Sequence, residues 1–281
     1  MENKKVLFLY NKQTFMTRCS LGEGLFVKNQ QAYWVDINKH LVFGNKLDTF
    51  IQYKLKSQPS VIYDFNKDFI YLGADRGLIS FSLSTSVEEA IVSGPLDHDY
   101  ARYRSNDGGY CGEQQLLSFM HREDPETYPG FIYSITGDSY KLIDDTVHIP
   151  NTFVPLDSSK ILISDSLKSV IWLYEFDNNH ELLSKTIWAK LDDNMTPDGG
   201  CVVGDFVLIA IWDGASIAVF SMRGELVQEL TMPVSRPTNC KFDIKTSKLW
   251  VTSATDGLTS EQITEYPESG DTFLFDLRII N

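Results

Sequence analysis

The chain has 281 residues, 43% apolar and 12% aromatic, enough for one large packed core or two ordinary domains. Its net charge of −13 argues against nucleic acid, whose phosphates need a face of clustered lysine and arginine, so no nucleic-acid partner is expected. Cys19, Cys111, Cys201 and Cys240 form no Cys-x-x-Cys pair and no disulfide framework. No apolar run suits a signal peptide or a transmembrane helix, so reduced, mostly buried thiols, a cytoplasmic location and no membrane partner are expected.

In chain order, residues 4–10 predict a strand standing ahead of the first complete unit. Leu21–Lys28, Ala32–Ile37, Leu41–Leu47 and Phe50–Leu55 make a first four-stranded unit. Ser60–Phe65, Phe69–Ala74, Leu78–Leu83 and Val87–Val92 make a second. A linker over residues 94–105 follows, and the third unit begins near Asn106, with Leu116–Met120, Phe131–Ile135 and Tyr140–Ile143. The fourth uses Asn151–Pro155, Ile161–Ser164, Val170–Phe176 and Leu182–Leu191; the fifth Gly199–Val203, Val207–Ile211, Ser216–Phe220 and Leu226–Met232. The sixth has only Asn239–Phe242, Leu249–Thr252 and Thr272–Leu277. Residues 4–10 are expected to supply its missing strand, because an open ring leaves two unpaired edges.

The units share an internal register. Glu23, Ser60, Asn106, Asp198 and Asn239 each lie eleven positions before the centre of the next strand, at Trp34, Tyr71, Leu117, Ile209 and Trp250. Asn151 lies twelve before Ile163. This pattern predicts an all-β fold, a six-bladed β-propeller forming a single domain over residues 1–281. First strands of blades line the central channel, so these six residues form a ring at one mouth. Two carboxylates and three amides there suit a hard cation such as calcium, magnesium or manganese.

Taken singly, these residues are weak signals. Asn106-Asp107-Gly108 and Pro197-Asp198-Gly199 read as ordinary turns. Glu23, between two glycines, stands out more, since glycine there lets the backbone pass close to something. Asp36 and Asp165, closing second strands, read as turn-orienting residues. The loop 121–130 is expected to hang over the ring. Histidines share no register, and His148, three before Asn151, reads as structural. No serine-hydrolase elbow and no phosphate loop occurs.

Several segments together carry a resemblance. Leu-Gly-Glu-Gly at 21–24, Tyr-Trp-Val-Asp-Ile at 33–37, Arg-Ser-Asn-Asp-Gly at 104–108 and Ile-Pro-Asn at 149–151 appear in this order. Ser-Asp-Ser at 164–166, Thr-Pro-Asp-Gly at 196–199 and Arg-Pro-Thr at 236–238 follow. The chain resembles the SMP-30/gluconolactonase/LRE family over nearly its whole length. That resemblance implies a six-bladed propeller with one divalent cation, calcium first, with zinc, manganese or magnesium as alternatives. It implies that Glu23, Asn151 and Asp198 ligate the cation and that Arg104, Asn106 and Glu123 contact substrate. It further implies that Asp198 is the general base of a sugar lactonase, unless water on the cation attacks directly.

Leu25 departs from the family's proline, Thr152 from its glycine, and Tyr110–Gln114 and Ser118–Met120 from its usual blade-three segments; these are expected beside the substrate pocket. A phosphotriesterase-like hydrolase on the same frame and a non-catalytic calcium-binding protein remain as alternatives. The expected partner is a small-molecule lactone, and the expected state a monomer or weak homodimer.

Overall fold

The structure, a computed structural model, describes residues 5–46, 49–95 and 98–280. Six four-stranded antiparallel sheets follow one another along the chain. Blade one holds β2 (Gly22–Lys28), β3 (Gln31–Asp36), β4 (Leu41–Lys46) and β5 (Thr49–Lys54). Blade two holds β6 (Pro59–Phe65), β7 (Phe69–Ala74), β8 (Gly77–Ser82) and β9 (Glu88–Ser93). Blade three holds β10 (Tyr103–Cys111), β11 (Gln114–His121), β12 (Phe131–Thr136) and β13 (Ser139–Asp144). Blade four holds β14 (Pro150–Pro155), β15 (Lys160–Asp165), β16 (Val170–Phe176) and β17 (Leu182–Lys190). Blade five holds β18 (Thr196–Val203), β19 (Phe206–Trp212), β20 (Ser216–Ser221) and β21 (Leu226–Thr231). Blade six holds β22 (Pro237–Asp243), β23 (Lys248–Ser253) and β24 (Thr272–Ile280) from the C-terminal end and β1 (Val6–Phe15) from the N-terminal end. The one α-helix among the described residues, α1 (Ser260–Glu265), sits between β23 and β24 with Thr259 as its N-cap. No helix there is long and apolar enough to cross a membrane.

The innermost strands β2, β6, β10, β14, β18 and β22 touch in cyclic order, which makes the expected six-bladed propeller with a central channel. The apolar face of each sheet packs on the next blade. Leu208, Ile217 and Val219 of blade five meet Leu249, Val251 and Phe273 of blade six, for example. Between blades six and one the filling is aromatic: Phe15 stacks on Trp250 at 5.2 Å, and fully buried Trp34 lies beside both.

The expected closing strand is present but longer than expected. It runs to Phe15 and pairs antiparallel with β24 from Val6↔Ile280 to Phe15↔Thr272. Residue 4, and Leu47 at the end of the expected third strand of blade one, lie outside the described residues. Blades three and five begin earlier than expected, at Tyr103 and Thr196. Asn106-Asp107-Gly108 and Pro197-Asp198-Gly199 are therefore not turns. They lie inside strands, at the register shifts between Ser105 and Gly108 and between Pro197 and Gly200. Every innermost strand carries such a bulge near its ring position. Bulges re-aim side chains, and here they turn polar ones toward the axis. The eleven-residue step is accordingly not a facing pair: Glu23 opposes Val35, and Asn239 opposes Thr252.

Closure by β1 yields a first prediction. Leu7, 1% exposed, packs in the core shared by blades five and six. Leu7→Ala should lower unfolding free energy by about 2–4 kcal/mol, read from the urea midpoint. Deleting residues 1–10 should lower the melting temperature further, because it also opens an edge. A truncated chain that melts with the full-length one would mean closure does not depend on this strand.

Candidate metal and substrate site

The bulges bring Glu23, Asn106, Asn151 and Asp198 to the wall of a cavity of about 270 Å³ at one mouth of the channel, with Arg104 beside them. Glu23 is 6% exposed and Asp198 4%. Two close approaches hold the geometry. Gly24, at φ +59°, lies against the Ser60 carbonyl, and a side chain there would strike it. Gly199 leaves the space that the Asn239 side chain fills between β18 and β22.

The hydrogen bonds follow from that crowding. Asn151 Nδ2 donates to Asp198 Oδ1 at 2.5 Å, and Asn239 Nδ2 donates to Glu23 Oε2 at 3.4 Å. The Glu23 and Asp198 carboxyls share the cavity wall, each near enough to act on the ionisation of the other. Burial, then the nearby Asp107, pushes Glu23 up to about 7. Burial, then Glu23, holds Asp198 well above the usual carboxylate range. Asp107 itself is pushed up to about 6 by burial, against the pull of Lys241. Without a countercharge such a pair holds a proton, since two buried carboxylates this near each other repel.

Arg104 is the half-buried cation of the cavity. Its Nη1 donates to Asn106 Oδ1 at 2.8 Å and to the Ser105 carbonyl at 2.9 Å. Asn106 Nδ2 in turn donates to the Pro150 carbonyl at 3.0 Å. Burial brings the guanidinium down to about 10, with Arg122 adding to the shift. Trp212 and Asp256 complete the wall. Trp212 is held from behind by Arg236, whose guanidinium lies 4.7 Å over the ring and grips Asp213 with two hydrogen bonds.

Thr152 stands at φ +81° and Phe153 at φ +27°, conformations that disfavour side chains. The family's usual glycine would sit at 152 without strain. Here the Thr152 hydroxyl compensates, bonding the Asp198 carbonyl and Ser164 Oγ, each at 2.7 Å. The strain is thus stored beside two of the expected ligands.

Other expected residues fall elsewhere. Glu123 is exposed and does not line the cavity; its backbone N–H reaches His121 Nδ1 at 3.4 Å. Of the stretch from Met120 to Gly130, Met120 alone lines the cavity, so the loop 121–130 borders the mouth rather than walling it. His148 is structural, pairing through Nδ1 with the Pro125 carbonyl. Ser60 turns to its own blade's Gly73 carbonyl. Asn239 lies below the ring, in a second cavity of about 350 Å³ along the channel. The blade-three departures divide likewise: Tyr110 lines that lower cavity, Cys111 is core, and Met120 faces the upper one. Asp36 and Asp165 do orient loops, accepting backbone N–H groups of Ser20 and Leu21 and of His148 and Ile149. The sequence reading missed Asp107, Trp212 and Asp256. For Asp107 the signal was its place in Asn-Asp-Gly, masked by the turn chemistry of that tripeptide.

The residues fit a hard cation. All candidate donors are oxygens, and two are carboxyls whose burial and mutual repulsion call for a countercharge. No group of three or more Asp, Glu, His or Cys assembles among them, so the amides must share the work. A cleft of about 990 Å³ between blades two and three has aromatic walls and lies away from the ring.

A profile of the SMP-30/Gluconolactonase/LRE-like region matches residues 21–255. Regucalcin of Homo sapiens is 26% identical over 204 residues, 68% of each chain. The structure of a calcium-binding protein, regucalcin, from Agrobacterium tumefaciens superposes with a TM-score of 0.86 at 21% identity, covering 94% of this chain and 92% of that one. A gluconolactonase structure from Xanthomonas campestris gives 0.73 at 17% identity, covering 95% and 89%. These structural likenesses carry the propeller fold. The profile, running from the start of blade one to just past β23, carries the family, and the chain belongs to the SMP-30/gluconolactonase/LRE-like family.

Proposed function

We propose that this chain is a divalent-cation-dependent lactonase. The observation that carries the reading is the pair of buried carboxyls, Glu23 and Asp198, on the wall of one cavity that also holds the half-buried Arg104 hydrogen-bonded to Asn106. Glu23, Asn151 and Asp198 would hold the cation, calcium first, in keeping with the description of the Agrobacterium relative as calcium-binding. When bound, the cation supplies Lewis-acid stabilisation of charge developing on a carbonyl oxygen.

The chain's own groups do the rest. Asp198 Oδ accepts the proton of the attacking water. The Arg104 fork and the Asn106 amide hold substrate hydroxyls or the departing carboxylate. Trp212 offers a flat apolar wall to a ring. Cation binding without catalysis is the second reading, favoured by the description of the Agrobacterium structure as a calcium-binding protein. It leaves the half-buried Arg104 without a task, since holding a cation requires no guanidinium. A panel of sugar lactones and organophosphates, assayed with each divalent cation after chelation, tests the proposal. No turnover of either class with any cation would leave the binding reading.

Three outcomes are expected. The first concerns pH. The folded Glu23 keeps its proton to about 7, against an ordinary value of 4.5, so the folded state binds more protons between those values. Its contribution to stability is present below the lower value and lost as pH rises through the higher one. Metal-free protein should therefore lose melting temperature over that window relative to Glu23→Gln, and a saturating cation should flatten the loss. A metal-free wild type that gains on the variant as pH rises would contradict the buried pair.

The second concerns Asp198→Asn. The amide can still face a cation but takes no proton at neutral pH. With cation binding confirmed by calorimetry, turnover of the best lactone should fall about 100-fold or more. Wild-type turnover would remove Asp198 from the proton transfer.

The third concerns Arg104→Lys, which keeps a charge and loses the planar fork. It should lower kcat/KM by about tenfold to 100-fold and leave cation affinity unchanged. An unchanged kcat/KM for every lactone would detach the arginine from the substrate.

A further inference from the structure

Below the ring, the propeller brings together two cysteines that are thirty-nine positions apart in the chain. Cys201 on β18 and Cys240 on β22 have their sulfurs 4.0 Å apart across the junction of blades five and six. The closeness has a cause on the same strands: Gly199 carries no side chain, and Asn239 fills the space it leaves. Cys240 is fully buried, its sulfur against the Leu208 carbonyl at 3.6 Å. Cys201 is half-buried and lines the lower cavity of about 350 Å³, whose walls include Phe26, Tyr63, Phe153 and Phe242. No other pair of cysteines approaches in this way among the described residues: Cys19 lies in the core between blades six and one, and Cys111 in that of blades three and four.

We propose that Cys201 and Cys240 form a reversible disulfide on reaction with a small hydroperoxide entering the lower channel. A disulfide needs its sulfurs about 2 Å closer than they stand, an approach on the scale of side-chain rotation. The mostly apolar cavity admits an uncharged oxidant of a few atoms, and the chain's net charge of −13 disfavours anionic ones. In the first step the Cys201 thiolate attacks the distal peroxide oxygen. The O–O bond breaks, alkoxide or hydroxide leaves and takes the proton the Cys201 thiol gave up, departing as alcohol or water, and Cys201 carries a sulfenic acid. In the second step Cys240 sulfur attacks Cys201 sulfur. The S–O bond breaks, and hydroxide leaves and takes the Cys240 proton as water. Two thiols lose two electrons, and the peroxide gains them.

The order of attack follows from access, since Cys201 alone faces the cavity. It agrees with the electrostatics: the bond from Cys240, with Lys241 nearby, holds the Cys201 thiol below its ordinary range. The product ties adjacent innermost strands together, one three residues past Asp198 and the other directly after Asn239.

The test is mapping of the wild-type protein after titration with hydrogen peroxide. Expected is a loss of two hydrogens per chain, a Cys201–Cys240 crosslinked peptide, and recovery of both alkylatable thiols on adding dithiothreitol. The oxidised form should also unfold at a higher denaturant midpoint than the reduced form, because the crosslink restricts the unfolded chain. Cys201→Ser should abolish both effects, and Cys240→Ala should halt at a Cys201 sulfenic acid trapped by dimedone. Because wild-type mapping needs no variant, a misfolded substitution leaves the test standing. The proposal is overturned if Cys201 passes to sulfinic acid while Cys240 remains an alkylatable thiol. A crosslink at another pair, or an oxidised form that unfolds no later than the reduced one, overturns it as well.

Discussion

The molecule depends on one pairing, that of its two ends. Every blade is a sheet with one face buried against each neighbour, so the fold has no free surface on which to stop adding blades. It stops by closing. β1 and β24 meet in an antiparallel ladder from Val6↔Ile280 to Phe15↔Thr272, and that ladder turns a row of sheets into a ring. The same ladder seats Leu7 against blade five and Phe15 against Trp250 near blade one, so hydrogen bonding and core packing across the joint are one event. Only a closed ring has an axis, and only an axis gives the polar residues of separate blades a common point.

At that point the fold does something costly. It takes Glu23 and Asp198 out of water and places their carboxyls on one cavity wall, with Asp107 close enough to raise Glu23 further. Desolvation and like charge both disfavour ionisation, so this arrangement by itself opposes stability at neutral pH. The surroundings accommodate it by amides: Asn151 donates to Asp198, and Asn239 donates to Glu23 while leaving its own oxygen free. Backbone strain at Thr152 and Phe153 falls at the same place, next to Asn151. Polar crowding and backbone strain thus gather at one mouth of the channel.

Much of this was legible in the residues, for a definite reason. A repeat architecture writes its period into the chain, and six hairpins sharing a register reveal both the blade count and which positions face the axis. The missing strand of blade six was legible too, because an unpaired edge must be covered. What misled was chemistry common to two structures. Asn-Asp-Gly and Pro-Asp-Gly suit a turn and a bulge equally, since both need a kinked backbone, and only strand pairing decides between them. Hence Asp107, placed in the channel, was passed over. Glu123 is expected at the cavity on the family resemblance alone, yet the chain turns away after His121 and leaves it in solvent.

By itself the sequence determined the six-bladed ring, its closure by the chain's first strand, and the polar set of Glu23, Asn106, Asn151 and Asp198. These rest on periodicity and on local strand propensity, which are properties of neighbours along the chain. The tertiary structure alone decided distances between blades. It put the Glu23 and Asp198 carboxyls on one cavity wall, set Trp212 and Asp256 beside them, and brought the Cys201 and Cys240 sulfurs to 4.0 Å. Such contacts join residues from separate repeats. Their closeness depends on how tightly adjacent innermost strands pack, which Gly24 and Gly199 permit and no local pattern records.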